Sequence, residues 1–237
     1  QKTTPGRSHF WSDSMTGRRV VIFDVGGVVA ESPINAIRAF CKERQVNDLN
    51  RFLFSSKSWH RLERAEMAFD AFPEAVLQEC HEGGIEDGIK LALEGWRELL
   101  HVIRAVAQLR PRMLQAIQRL REQGFVVAAL TNNFAEAKDP AAADALARFR
   151  TLFDHFIESS KSTMRKPEPE FYRYALDIIG CQPQEAIFLD DIGKNLKPAA
   201  AMGIHTILVE NHRPDQYLEA LQKLQDLVKV PLLDAKL

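Results

Sequence analysis

Cysteine is scarce in this sequence. Cys41, Cys80 and Cys181 stand far apart and match no metal-ligand or redox spacing, which excludes a disulfide framework or zinc module and fits a reducing compartment. Long apolar runs are missing too: none approaches the about 20 residues that a membrane span needs. No secretory apolar core stands near the start. Charge of one sign is also missing, since 31 Lys and Arg face 32 Asp and Glu for a net charge of −1. With no basic stripe, nucleic acid is not an expected partner. What remains is a 237-residue chain with 46% hydrophobic residues, enough for one large domain or a core with an insertion.

The stretch Val20-Val21-Ile22-Phe23-Asp24-Val25-Gly26-Gly27 organises the chain. Four apolar residues in a row read as a strand buried on both faces, as in a parallel sheet. An acid at its carboxyl end sits where open α/β sheets bind ligands. The two glycines allow a sharp turn and close approach to the backbone.

Before that strand, residues 1–19 read as a polar tail. After it, residues 32–109 carry helical periodicity and no convincing strand. Ser32-Pro33 is a helix start, with Ile34, Ile37, Phe40 and Cys41 on one face. Helical segments are expected over Arg51–Phe54, Trp59–Phe69, Pro73–Cys80 and Ile85–Val106, punctuated by Pro73, Gly83-Gly84 and Gly95. A stretch this long needs structure of its own and is read as a helical cap over the site end of the sheet. Trp59 and Trp96 are read as helix–helix core ahead of cavity lining; Glu31 and Arg38 fall near the cap entrance without a fixed place.

From Arg110 onward strands and helices alternate. A helix opens at Pro111 and closes at Gly124; strands are expected at Phe125–Leu130, His155–Glu158, Ala186–Leu189 and Thr206–Val209. Helices are expected around Pro140–Phe149, Glu170–Ile179 and Asn195–Met202, with a last one from Pro214 to Lys229, and Lys161–Pro169 is read as a loop. This is an α/β chain with a Rossmann-like, doubly wound parallel sheet and a helical cap inserted after the first strand. The core is residues 20–31 and 110–230, the cap 32–109, and 231–237 a short tail.

In a parallel sheet the strand ends share one edge. That gathers Asp24, Thr131-Asn132 and Asp190-Asp191, with Lys166 in a loop on the same side. Singly each has an ordinary explanation: Asp-Asp a solvated turn, Thr-Asn-Asn a hydrogen-bonded turn, Lys-Pro a loop. Together they have a chemical logic. Clustered carboxylates repel and raise a pKa, and Mg²⁺, which takes carboxylate, water and phosphate oxygens, relieves that. A hydroxyl, an amide and an ammonium suit phosphate oxygens. Asp24 is then a candidate nucleophile toward phosphorus, with Lys166 offsetting charge on the moving phosphoryl group.

These motifs, Phe-Asp24-Val-Gly-Gly-Val, Leu-Thr131-Asn132-Asn133, Lys166-Pro167 and Phe-Leu-Asp190-Asp191, resemble those of the haloacid dehalogenase-like hydrolase superfamily over about Val20 to Val230. Met164-Arg-Lys-Pro-Glu-Pro169 and Phe188-Leu-Asp-Asp-Ile-Gly-Lys-Asn-Leu-Lys-Pro198 are similar to the N-terminal phosphatase domain of soluble epoxide hydrolase and to the N-terminal domain of acyl-CoA dehydrogenase fusion proteins. The resemblance implies a phosphate monoester as small-molecule substrate and an aspartyl-phosphate on Asp24. It implies Mg²⁺ on Asp24, the Gly26 carbonyl, Asp190 and Asp191. It assigns phosphate to Thr131, Asn132, Asn133 and Lys166, with Asn195 supporting the acidic loop. One position departs from the pattern. Phosphatases of the superfamily carry a second Asp two residues after the nucleophile, and here that position is Gly26. General acid–base help is typically worth about 10²–10⁴ in rate. Phosphatase is the expected activity; a weakly active phosphate-binding module and a hydrolytic dehalogenase are the alternatives. The ending Ala235-Lys236-Leu237 resembles a peroxisomal address, so a cytoplasmic or peroxisomal location is expected.

Overall fold

The structure is a computed structural model, and it describes residues 19–43, 55–86, 108–134 and 140–233 together with positions 95 and 98. Five parallel strands form one sheet: β1 (Val20–Phe23), β2 (Val126–Thr131), β3 (His155–Glu158), β4 (Ala186–Asp190) and β5 (His205–Leu208). Their order is β3-β2-β1-β4-β5, with Phe23 level with both Ala129 and Leu189. The order therefore reverses between β1 and β4, and Asp24 and Asp190 leave the sheet at that switch point, where open α/β sheets take their ligands.

β1 is buried on both faces, which is why it reads as an unbroken apolar run. Val21 and Phe23 pack on one side with α4 (Pro111–Glu122) and α9 (Tyr217–Val228), through Met113, Ile117, Leu221 and Leu224. Val20 and Ile22 face the other way, against Phe171, Tyr172 and Leu176 of α7 (Pro169–Ile179) and Ala199 of α8 (Gly193–Ala201). This period of two is the strand's own geometry. Truncating Phe23, which is fully buried, to Ala would cost about 3–5 kcal/mol.

Between β1 and α4 the described elements are helical: α1 (Pro33–Glu43), α2 (Lys57–Glu63) and α3 (Phe72–Gly83). Glu79 of α3 caps α2, its carboxylate accepting from the Ser56 hydroxyl and the Lys57 and Ser58 amides. The chain leaves and re-enters the sheet side by side: Ala30 bridges Leu109 in antiparallel fashion, and the Glu31 amide donates to the Gln108 carbonyl at 2.9 Å.

Boundaries differ from the sequence reading by one to three residues at most elements and by six at the end of α2. Strand β2 continues to Thr131 because Glu158 pairs with it, and β4 includes Asp190 because Leu208 does. Helix α2 stops at Glu63, well short of Phe69, since the chain turns at Ala65 (φ 56°), and Phe69–Ala71 is a single 3-10 turn before α3. The Lys161–Pro169 loop begins inside a one-turn helix, α6 (Ser159–Ser162); α5 (Pro140–Arg150) runs one residue past its expected end. The segment after Pro214 becomes helical only at Tyr217. The 1–18 stretch of the tail, Arg51–Phe54, Trp96, most of Ile85–Val106, and Ala235-Lys236-Leu237 lie outside the described residues. Among the described residues no helix is long and apolar enough to cross a membrane.

Candidate active site

Asp24 is the first residue after β1. Its Oδ1 accepts from the Val25 amide at 2.7 Å and from Lys166 Nζ at 2.8 Å. No hydrogen bond reaches its Oδ2 from the described residues. Lys166 is 1% exposed and also donates to Asp190 Oδ2 at 2.7 Å. One ammonium thus bridges the ends of two adjacent strands. Asn132, at the end of β2, places it: its Oδ1 accepts from the Lys166 amide at 2.8 Å and its Nδ2 donates to the Lys166 carbonyl at 3.0 Å.

Asp190 is fully partnered. Asn195 Nδ2 donates to both of its oxygens at 3.1 Å, and the Ile192 amide adds a bond of 2.8 Å to Oδ1. The Tyr172 hydroxyl in turn donates to the Asn195 carbonyl at 2.7 Å. Among the described residues the hydrogen bonds to Asp191 reach Oδ2, which accepts from Ser32 Oγ at 3.2 Å and Asn211 Nδ2 at 3.1 Å. One oxygen each of Asp24, Asp190 and Asp191 lie within 4.8 Å of one another.

The electrostatics follow from three carboxylates around one ammonium. Burial raises the Asp24 carboxyl well above its ordinary value; Lys166 opposes this, while Asp190 and Asp191 add to it. Asp191 is raised to about 6, chiefly by burial and then by Asp190. Lys166 is buried, which works against its charge, yet Asp190 and Asp24 outweigh that and hold its pKa up. The surplus negative charge and the hard oxygen donors fit a divalent cation such as Mg²⁺, which takes one or two carboxylates and keeps water or phosphate as its other ligands.

Above these groups lies a cavity of about 540 Å³. Asp24, Gly26, Thr131, Asn132, Lys166, Asp191 and Asn195 are on its wall, together with Ile37, Trp59, Phe134 and Ile192. Trp59 meets Phe134 edge-on at 5.5 Å and Phe72 at 5.8 Å, so it is both core and cavity wall. Two ion pairs join α2 to the Lys166 loop at the cavity: Glu63–Arg165, at 2.5 Å and buried on both sides, and Arg64–Glu168.

Asn133 is placed differently from the expectation. Its side chain donates to Glu158 at 2.8 Å and accepts from the Ser160 hydroxyl at 2.8 Å, and it is not on the cavity wall. The two ends of the amide tie the end of β2 to the end of β3 and to the start of α6. Asn132 is on the wall, but its side chain is committed to the Lys166 backbone. Glu31 pairs with Arg110 at 2.9 Å, and Arg38 is exposed. Glu63, Arg165, Ser32, Arg110 and Asn211 were not singled out for the site by sequence. Ser32 carried only a helix-start signal, Arg110 a position before Pro111, and Asn211 none.

A family model for haloacid dehalogenase-like hydrolases matches residues 18–203. The chain belongs to this family. It is 34% identical over 219 residues to acyl-CoA dehydrogenase family member 10 of Mus musculus, covering 90% of this chain and 19% of that protein. With bifunctional epoxide hydrolase 2 of Sus scrofa it shares 29% over 226 residues, 91% of this chain and 40% of the relative. The chain therefore spans less than half the length of these two. The sesquiterpene phosphatase astK of Aspergillus oryzae is 29% identical over 189 residues, 78% of this chain and 87% of that one. Among solved structures, a HAD-like hydrolase from Porphyromonas gingivalis superposes with a TM-score of 0.62 at 22% identity, covering 87% of this chain and 97% of the other. A HAD family enzyme of Bacteroides thetaiotaomicron, crystallised with magnesium and inorganic phosphate, gives 0.56 at 19%, covering 85% and 98%. These two likenesses concern the fold.

Proposed function

We propose that this member of the haloacid dehalogenase-like hydrolases is a Mg²⁺-dependent phosphomonoesterase that works through an aspartyl-phosphate on Asp24. The observation that carries the reading is the Asp24 carboxylate: one oxygen is pinned by Lys166 and the Val25 amide, and the other, on the cavity side, accepts no hydrogen bond from the described residues. Asp24 Oδ2 attacks phosphorus, and the ester P–O bond breaks with its electron pair going to the leaving oxygen. Water then cleaves the acyl phosphate, releasing phosphate and restoring the carboxylate. Lys166 holds the attacking group in place and offsets charge on the phosphoryl group. Thr131, on the cavity wall, would hold a phosphate oxygen. Mg²⁺, held by Asp24, Asp191 and Asp190 with the Gly26 carbonyl, would supply electrostatic stabilisation of the transferring group.

The substrate's organic part is apolar in this reading. Ile37, Trp59, Phe134 and Ile192 give it a wall, and the relative from Aspergillus oryzae is named a sesquiterpene phosphatase. Gly26 carries no acid to protonate the leaving oxygen, so esters with good leaving groups should react fastest. The same glycine favours the second reading, a phosphate-binding module with little turnover.

The test is p-nitrophenyl phosphate hydrolysis with Mg²⁺, with EDTA, and in Asp24→Asn, with a chlorinated short-chain acid as a metal-free control. Turnover that requires Mg²⁺ and is lost in Asp24→Asn supports the phosphatase. Mg²⁺ and phosphate binding without turnover supports the binding module. Halide release without metal would overturn both.

A further inference from the structure

We propose that Asn211 is a positioning residue for Asp191, and that Arg110 aims it from the point where the helical insertion rejoins the sheet. This rests on reading the acidic cluster as a divalent-cation site. Asn211 follows β5, whose continuation is tied to the cluster by the Val209 amide donating to the Asp190 carbonyl at 3.0 Å. Its Nδ2 donates to the Gly27 carbonyl at 2.9 Å and to Asp191 Oδ2 at 3.1 Å; its Oδ1 accepts from Arg110 Nη2 at 2.9 Å. Only one orientation of the amide satisfies this. Flipped, its oxygen would face a carbonyl and a carboxylate, and its N–H groups would face a guanidinium. Arg110 therefore dictates which end of Asn211 meets Asp191.

Arg110 is itself fixed, being 4% exposed. It donates to Glu31 at 3.1 and 2.9 Å and to the Gly27 carbonyl at 2.9 Å, and its guanidinium lies 4.5 Å from the Tyr217 ring centroid. Glu31 is where the chain leaves the sheet for the insertion, and Arg110 is where it returns. The Arg110 amide donates to the Val29 carbonyl at 2.9 Å, closing the crossing. One guanidinium thus joins the exit, the return and the loop after Asp24, and passes that geometry to Asp191 through Asn211. With Oδ2 accepting from both Asn211 and Ser32, the Asp191 carboxylate is held from two sides in its place beside Asp24 and Asp190. Hydrogen bonds of this kind, to a ligand rather than to the metal, typically carry about 10–100-fold in metal affinity.

The experiment is calorimetric titration of Mg²⁺ into the whole chain without substrate, for wild type, Asn211→Ala, Asn211→Ser, Arg110→Lys and the Asn211→Ala/Arg110→Lys double variant, with thermal unfolding of each with and without Mg²⁺. Asn211→Ala should weaken Mg²⁺ binding about 10–100-fold and lose most of the Mg²⁺-induced rise in Tm. Asn211→Ser, which keeps a donor of shorter reach, should fall between it and wild type. Arg110→Lys should weaken binding alone but add little on the Asn211→Ala background, because it acts through Asn211. If both Asn211 variants bind Mg²⁺ as wild type does and differ only in the metal-free Tm, Asn211 is structural and the proposal is overturned. If wild type itself binds no Mg²⁺, the reading of the acidic cluster fails, and the proposal falls with it.

Discussion

The carboxylate of Asp191 occupies the space that a side chain at position 27 would need: a β-carbon built on Gly27 would lie 2.0 Å from Asp191 Oδ2. Gly27 also has φ +79°, a conformation that other residues adopt only with strain. The loop after β1 and the acidic loop after β4 are therefore fitted to each other through the absence of one methyl group. Gly27→Ala must either push Asp191 away or shift the loop that carries Asp24. The expected result is a lower Tm and loss of Mg²⁺ binding together. A variant with wild-type Mg²⁺ affinity would show that the two loops are not coupled through this contact.

Lys166 and Asp24 give a contrast in sign. Replacing Lys166 by Met leaves Asp24 and Asp190 buried without their cation, and removing one partner of a buried pair typically costs about 3–5 kcal/mol. Asp24→Asn instead removes one of three mutually repelling carboxylates while Asp190 still pairs with Lys166. Both variants should lose turnover. Urea unfolding without metal should show Lys166→Met strongly destabilised and Asp24→Asn as stable as wild type or more so. Equal losses in the two would contradict the charge balance described for the site.

Asp191 gives the site a pH dependence with a definite direction. In the metal-free protein burial, and then Asp190, raises its pKa from 3.8 to about 6. The folded state thus holds this proton more tightly than the unfolded chain. The group's contribution is fully present below about pH 4 and is lost as pH rises to about 6; above that the ionised carboxylate costs up to about 3 kcal/mol. Asp191→Asn, which cannot ionise, should therefore gain stability relative to wild type between pH 4 and 6.5 and keep the gain at pH 7. Added Mg²⁺ should stabilise wild type at pH 7 and leave the variant unchanged. Parallel curves of Tm against pH for the two proteins would rule this out.

Much of the site's floor was legible because it obeys periods. Asp24, Thr131 and Asp190 each close an apolar strand, and parallel register alone brings such residues to one edge. Alternation of strands and helices likewise gave the sheet. What sequence could not show is which polar groups in the connecting segments find each other. Asn211 and Gly27 are 184 positions apart, and a loop asparagine carries no mark of its partner. Asn133 shows the converse. It belongs to the motif by position, yet a Glu158 buried at the end of β3 claims its amide. Ser32 read correctly as a helix start and still spends its hydroxyl on Asp191.

Glu63 and Arg165 are a further buried pair, and they join the helical insertion to the residue beside Lys166. The contact is 2.5 Å, with both residues nearly inaccessible. Burial raises the Glu63 carboxyl above its ordinary value, while Arg165, the Trp59 indole and Lys166 pull it back. Glu63→Gln strands the Arg165 guanidinium, and Arg165→Met strands the Glu63 carboxylate. Each should cost about 3–5 kcal/mol, while the double variant should cost clearly less than the sum, because desolvation of the pair offsets most of its attraction. Arg165 is covalently next to Lys166, so the same variants should slow p-nitrophenyl phosphate turnover without changing Mg²⁺ affinity, which the acidic cluster sets. A double-mutant cycle by urea unfolding, run beside kinetics and Mg²⁺ titration, checks both halves. Strict additivity would mean that the insertion and the Lys166 loop are held together by other contacts. A changed Mg²⁺ affinity would mean that this pair reaches the acidic cluster through Lys166.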